Sequence, residues 1–81
     1  MSTDTAGEYV DDAAITAKVK ASFVEDKWVK GRDIGVRTDH GVVDLTGTVD
    51  SKAESDRATR LASQVKAVKA VHNNLKVVAP K

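Results

Sequence analysis

Residues 41–54 read "GVVDLTGTVDSKAE" and join a strand pattern directly to a helix-start motif. Val43, Leu45 and Val49 recur in the two-residue period of a strand with one buried face. Gly47 falls in the same register, so one core-facing position of this strand carries no side chain. Such a gap lets another element approach the sheet closely or marks a bulge. We therefore expect Gly47 to have a packing role rather than a ligand-binding role.

The end of this stretch, "SKAE", matches the capping box that opens many helices. In that arrangement the Ser51 hydroxyl accepts the Glu54 amide, and the Glu54 carboxylate reaches back to the Ser51 amide. The helix that follows is expected to end near Lys66 or Ala67, and its small residues suit close packing over Gly47. Its apolar face consists of Ala58, Leu61, Ala62 and Val65.

The residues before this stretch predict an antiparallel hairpin. Residues 33–39, "DIGVRTD", alternate Ile34 and Val36 with small or polar residues, as a half-buried strand does. The tripeptide "DHG" follows as a turn, in which Gly41 can adopt a positive φ. The second strand then carries on its outward face Val42, Asp44, Thr46 and Thr48.

Apolar spacing near the two ends of the chain predicts a further helix and a further strand. "DDAAITAKVKASFVED" places Ile15, Val19 and Phe23 on one helical face, and its leading Asp residues supply an N-cap. "AVHNNLKVV" predicts the last strand. One register of that strand contains Val71, Asn73, Leu75 and Val77.

The predicted fold class is α/β, an α+β sandwich in the order α-β-β-α-β. The connection through the second helix is long enough for a right-handed crossover. We expect a three-stranded mixed sheet with both helices packed on one face and the other face open to solvent or to a partner. Residues 1–9 are expected to form a disordered tail, and residues 10–79 a single domain.

Composition and charge exclude several classes of protein. The chain has 81 residues and a formal net charge of +1. It contains no cysteine, which excludes disulfides and thiolate metal sites. No apolar run approaches the roughly 20 residues of a membrane-spanning helix. Basic residues do not form a stripe with aromatic residues, which argues against a nucleic-acid partner. The polar, acidic start is not a signal peptide, so Met1 is either native or stands in place of a removed signal.

No cluster of residues has a catalytic or metal-binding pattern. Ser51 is explained as a helix cap, with no candidate base beside it. Asp39, Asp44 and Asp50 are scattered through the hairpin, and His72 has no second ligand at metal spacing. The sequence therefore predicts no catalytic residue, no metal site and no cofactor.

Four segments together resemble the BON domain, the bacterial OsmY and nodulation domain. They are "DDAAITAKVKA", "GVVDLTGTVDS", "SDRATRLA" and "AVHNNLKVV", and the resemblance covers about residues 10–78. One departure stands out, because such domains often carry Gly-Val before the last strand, where this chain has Ala67-Val68. This departure leaves room for the second helix to run a residue or two longer.

The resemblance implies a non-enzymatic binding module of the bacterial cell envelope, acting in osmotic or envelope stress. It implies weak contact with phospholipid membranes, and potassium binding in one cytoplasmic branch. It also implies a periplasmic location if a signal peptide was removed, and a cytoplasmic one otherwise. Further partners that it suggests are another BON domain or an envelope protein. It carries over no family-wide set of binding residues.

The first helix carries a second, outward stripe that suits an anionic membrane surface. Projected at about 100° per residue, small and apolar side chains lie opposite the core face and are flanked by lysines. Tryptophan favours the membrane interface, and lysine meets anionic head groups. The predicted lipid-contact residues are Ala13, Ala17, Lys20, Val24, Lys27, Trp28, Lys30 and Arg32.

Other interpretations of the same residues stay open. Alanine is a good helix former in its own right, and Trp28 can fold back to cap the core. The stripe can also pack against a second copy of the domain. The open sheet face offers a protein-binding surface, and backbone carbonyls at a strand end offer a potassium site.

Overall fold

Two helices and a three-stranded mixed sheet make up the computed structural model, which describes residues 11–29 and 33–78. The helices and strands, in chain order, are α1 (Asp12–Glu25), β1 (Ile34–Asp39), β2 (Val42–Val49), α2 (Lys52–Ser63) and β3 (Ala70–Val77). Strand β2 is central, antiparallel to β1 and parallel to β3. The predicted order and fold class are confirmed. The predicted disordered tail, residues 1–9, lies outside the described residues.

Both helices pack on the same face of the sheet. On α1, the Thr16 hydroxyl donates to Thr38 of β1 at 2.8 Å. On β3, the Asn73 amide donates to the Ser55 hydroxyl of α2 at 2.8 Å. The strand register places Thr38 and Asn73 on the face that carries the buried residues of β2. The opposite face of the sheet is therefore left uncovered by the two helices.

A small apolar core lies between the helices and this face. The three α1 residues that the sequence assigns to the core are at most 1% exposed. Half-buried Leu61 and Val65 lie at its edge, while Glu54 and Ser55 of α2 are more deeply buried than either. The buried apolar residues are Ile15, Val19, Phe23, Val29, Ile34, Val43, Leu45, Val49, Ala58 and Ala62.

Gly47 is in close contact with the backbone at the start of β1. The sequence analysis had expected it to contact the small residues of α2. A Cβ at this position would collide with the carbonyl oxygen of Asp33 and lie 3.4 Å from the Cα of Ile34. Its φ of +113° is also one that side-chain-bearing residues rarely adopt. The expected neighbour is wrong because β1 pairs with β2 at this point, Ile34 opposite Gly47.

Helix α2 ends at Ser63, which is earlier than the predicted end near Lys66 or Ala67. The chain reverses after Gln64, and Ala67 adopts a φ of +79°. The Lys69 N–H then donates to the Gly41 carbonyl at 2.8 Å, which brings the next strand alongside β2. The predicted extension of the helix is wrong because β3 must begin pairing at Ala70.

Candidate functional site

The outward side of α1 carries the first part of the predicted lipid-contact residues. Ala13, Ala17, Lys20 and Val24 are all exposed, and Val24 is 79% exposed. At 100° per residue they form one stripe, opposite the buried face of the helix. The structure thus brings these four residues together on one surface.

Trp28 does not continue this stripe along the helix, because α1 ends at Glu25. The Asp26 carboxylate accepts the N–H of Trp28 at 2.7 Å and that of Val29 at 3.3 Å, which holds the chain in a bend. Val29 enters the core at 4% exposure, whereas Trp28 remains 69% exposed. Val29, not Trp28, therefore covers this end of the core. Lys27 is exposed in the same bend. Two further predicted cations lie outside the described residues: Lys30 and Arg32.

An ion pair connects this bend to α2. Both carboxylate oxygens of Asp26 accept from the Arg57 Nε, at 2.8 and 3.0 Å, and the Asp26 side chain is 6% exposed. Burial alone raises the pKa of Asp26, but the hydrogen bonds from Trp28 and Arg57 outweigh it, so the pKa lies below its ordinary value. The Asp26–Arg57 ion pair thus holds the bend that contains Trp28 against α2.

A groove of about 580 Å³ lies between Trp28 and the first turns of α2. The outward residues of α2 in it recur at positions 53, 56, 57 and 60, the spacing of one helical face. The sequence analysis did not identify this groove. Its signals were that spacing and an Asp two residues before the tryptophan. The groove is lined by Trp28, Asp50, Ser51, Ala53, Glu54, Asp56, Arg57 and Arg60.

This groove is here called the Trp28 groove. Its floor is held by side-chain caps at the start of α2. The Ser51 hydroxyl accepts the Glu54 N–H at 3.1 Å. The Glu54 carboxylate accepts the N–H of Asp50 at 3.0 Å, one residue before the Ser51 amide that the capping box predicts. Glu54 is only 6% exposed, so the cap is a buried part of the structure. Two side-chain hydrogen bonds therefore hold the strand-to-helix connection that forms the floor of the groove.

The start of α1 lies at the other end of the molecule and is tied to the hairpin turn. The Asp12 carboxylate accepts the N–H of His40 at 2.9 Å and that of Gly41 at 3.1 Å. These two hydrogen bonds hold the pKa of Asp12 below its ordinary value. His40 and Gly41 have φ values of +54° and +83°. Asp12 therefore stabilises a turn whose backbone is left-handed at two successive residues.

The open sheet face carries a row of polar, ionisable residues across the three strands. Arg37, Asp44 and His72 share one register, and the His72 Nδ1 lies 3.2 Å from the Asp44 carboxylate. A shallow hollow of about 280 Å³ lies beside them. Among residues 11–29 and 33–78, no group of three or more His, Cys, Asp or Glu side chains could hold a metal ion. Neither helix in these ranges is long and apolar enough to cross a membrane.

Comparison with known proteins assigns this arrangement to a family. A family model described as the BON domain matches residues 11–79. Osmotically-inducible protein Y of Escherichia coli (strain K12) is 43% identical over 76 residues, which cover 94% of this chain and 38% of that protein. The chain thus spans well under half the length of this relative. On this evidence, the chain belongs to the BON domain family.

Proposed function

We propose that this domain is a non-enzymatic module that binds weakly to anionic phospholipid surfaces. The contact surface is the stripe of α1 together with the bend that follows it, here called the lipid-contact face. The observation that carries the proposal is the exposure of Val24 and Trp28, four residues apart and each more than two-thirds exposed. The lipid-contact face consists of Ala13, Ala17, Lys20, Val24, Lys27 and Trp28.

The charges on this face match an anionic surface. Lys20 and Lys27 are exposed on either side of Val24, and no acidic residue falls within the stripe. Each lysine near an anionic bilayer contributes about 1 kcal/mol, and the effect decays within a Debye length. An exposed indole adds affinity at the interface, where its polar N–H meets head groups and its ring meets acyl chains. The sum supports weak, reversible binding.

The cellular setting of the proposal comes from the relative. The name of the E. coli protein states that it is osmotically inducible. We extend this to the present chain as a role in osmotic or envelope stress, in the periplasm when the protein is exported. Because the chain covers 38% of that relative, this role belongs to the proposal and not to the comparison.

The deciding experiment is an amide NMR titration with phosphatidylglycerol nanodiscs, with phosphatidylcholine nanodiscs as the control. We expect shifts or broadening at residues 13–28 with the anionic lipid only. Val24→Ser should weaken binding, whereas Val78→Ser, at a residue 55% exposed just beyond β3 and outside the lipid-contact face, is the matched control. An unchanged spectrum at low salt would refute the proposal.

A second candidate function is protein binding through the open sheet face. It is favoured by the uncovered row of Arg37, Asp44 and His72 and by the free outer edge of β3 within the described residues. In an amide NMR titration with a protein partner, the signals of residues 42–48 would then shift instead of those of the lipid-contact face. Potassium binding remains a prediction, and thermal unfolding in potassium against sodium chloride tests it.

A further inference from the structure

We propose that Asn73 closes the outer edge of β3 against pairing with a second copy of this chain. Within the described ranges, no strand pairs with that edge. The Asn73 side chain occupies the Leu75 N–H, a backbone donor in the middle of the edge that an added strand would need. The proposal does not rest on the proposed lipid contact, because β3 lies outside the lipid-contact face.

The backbone groups of β3 alternate between its paired edge and its free edge. The Val78 N–H, just beyond β3, donates to the Val49 carbonyl of β2 at 2.8 Å. Because successive N–H groups of a strand point to opposite sides, the even-numbered residues of β3 pair with β2. Such a free edge is a template for strand addition. The residues that direct N–H and C=O groups to it are Val71, Asn73, Leu75 and Val77.

The side chains along this edge suit a second copy of the same strand. Val71 and Leu75 are half-buried and Val77 is 49% exposed, so an apolar strip follows the edge. Two β3 strands can run antiparallel about a two-fold axis at Asn74. Val71 of one copy then faces Val77 of the other, and Asn73 faces Leu75. In that register the Leu75 N–H of each copy must donate to the Asn73 carbonyl of the other.

In the single chain, the Asn73 side chain already occupies this donor. Its oxygen accepts the Leu75 N–H at 2.9 Å, two residues further along the same strand. Local bonds from side chain to backbone compete with the hydrogen bonds between strands. The Leu75 N–H is therefore satisfied within one molecule, and an added strand must first displace the Asn73 side chain.

Helix α2 holds the Asn73 side chain in this position. The Asn73 amide nitrogen donates to the Ser55 hydroxyl at 2.8 Å and to the Thr59 hydroxyl at 2.7 Å. The Thr59 hydroxyl gives its own hydrogen to the Ser55 carbonyl at 3.1 Å, so it can only accept from Asn73. This fixes which end of the amide faces α2. Since Ser55 is 7% exposed, displacing Asn73 would break contacts with a buried hydroxyl.

The closed edge also bears on the second candidate function. A partner strand at β3 would have to displace Asn73 in the same way as a second copy. A protein partner is therefore expected on the open sheet face, where the row of Arg37, Asp44 and His72 is uncovered.

Amide hydrogen exchange in the native chain tests the closed donor directly. Val71, Leu75 and Val77 direct their N–H groups to the same edge, but among residues 11–29 and 33–78 only the Leu75 N–H of these has a side-chain acceptor. We expect the protection factor of Leu75 to exceed those of Val71 and Val77 by at least about tenfold. Equal protection of the three amides would overturn the proposal.

Asn73→Val removes the acceptor, and Asn74→Val is the matched control. Both asparagines are exposed on β3, but Asn74 lies on the open sheet face and its N–H points to β2. We expect Asn73→Val to lose the extra protection of Leu75 in dilute solution. In sedimentation equilibrium its dimer Kd should be at least about tenfold lower than that of the native chain or of Asn74→Val. Amide shifts on association should centre on residues 70–77.

Several results would contradict a closed edge. Equal self-association of the two variants would show that added apolar surface, not the lost acceptor, drives pairing. A folded Asn73→Val that stays monomeric, or a native chain that dimerises through residues 70–77, would also refute the role of Asn73. If Asn73→Val does not fold, as circular dichroism would show, the exchange rates of the native chain decide.

Discussion

Among the described residues, Ala67 is the one whose residue type suits its backbone conformation least. It has a φ of +79° at the reversal between α2 and β3, a conformation that costs an L-residue about 1–2 kcal/mol. The position is one where the resemblance to BON domains leads us to expect glycine. The fold keeps its turn here despite an unfavourable residue, because the strand pairing that begins at Ala70 requires the reversal.

Ala67→Gly should stabilise the domain by roughly 0.5–1 kcal/mol, since relief of the left-handed alanine exceeds the extra entropy of an unfolded glycine. Urea unfolding followed by circular dichroism measures this change. Ala21→Gly, at an exposed position within α1, is the control and should destabilise by about 1 kcal/mol. A loss of stability in Ala67→Gly would contradict this account of the turn.

Gly47→Ala should have the opposite effect and destabilise the domain by about 2 kcal/mol or more. The new methyl group would meet the fixed backbone carbonyl of Asp33, and φ would stay at an unfavourable value. Gly35→Ala is the matched control, because its methyl group would meet only the Thr46 hydroxyl, 2.8 Å away, which can rotate. Equal unfolding free energies for the two variants would show that the backbone contact at Gly47 is unimportant.

At the scale of the elements, the pair between Asp26 and Arg57 joins the end of α1 to α2 and carries a pH dependence. In the folded protein, the pKa of Asp26 lies below its ordinary value of 3.8. The stability that this carboxylate contributes is therefore fully present above pH 3.8 and is lost as the pH falls through the folded-state pKa. Asp12, whose pKa is also lowered, adds to the same acid-side loss.

Asp26→Asn should lower the unfolding midpoint at neutral pH, because Arg57 loses its anion, whereas the asparagine side-chain oxygen can still accept the N–H of Trp28. The difference from the native chain should shrink as the pH falls below 3.8 and through the lowered folded-state pKa of Asp26, because the native carboxyl then becomes protonated as well. Thermal unfolding across this range measures the effect. Asp39→Asn, at a side chain 78% exposed, is the control. A difference that stays constant with pH would rule out the charge as its source.

The elements themselves and the start of α2 could be predicted from the sequence, whereas the end of α2, the bend after α1 and the groove could not. The period of the buried α1 residues and the alternation of Val43, Leu45 and Val49 in β2 are local signals that burial confirms. Gly47, which the same alternation places on the core face, is instead exposed. Helix α1 ends at Glu25, one residue inside the predicted segment, whereas the bend that follows depends on the Asp26 side chain accepting two backbone N–H groups, which no periodicity reports. The groove depends on a pairing between residues 31 positions apart, which one sequence does not show.

At the scale of the whole molecule, the arrangement of charge predicts how binding to membranes responds to salt. In the proposed function, the lysines of the lipid-contact face attract an anionic surface through solvent, where the Debye length shrinks from about 10 Å at 0.1 M to about 3 Å at 1 M salt. Binding to phosphatidylglycerol vesicles should therefore weaken steeply with added salt, as a sedimentation assay would show.

Lys20→Gln should weaken this binding and reduce its salt dependence. Lys76→Gln removes the same charge from an exposed position on β3 and should leave both unchanged. Binding that persists at 1 M salt would instead indicate that apolar contacts dominate. Equal effects of the two variants would show that the net charge of the domain matters and the position does not.

The ties at Asp12 and at Val78 determine how the domain can be arranged in a longer chain. Asp12 is bound to the turn before β2, while the Val78 N–H donates to the Val49 carbonyl at the other end of that strand, at 2.8 Å. The polypeptide thus enters at one pole and leaves at the other, separated by the roughly 26 Å that eight strand residues span. Consecutive domains of this kind, joined by short connectors, would therefore follow one another in a line.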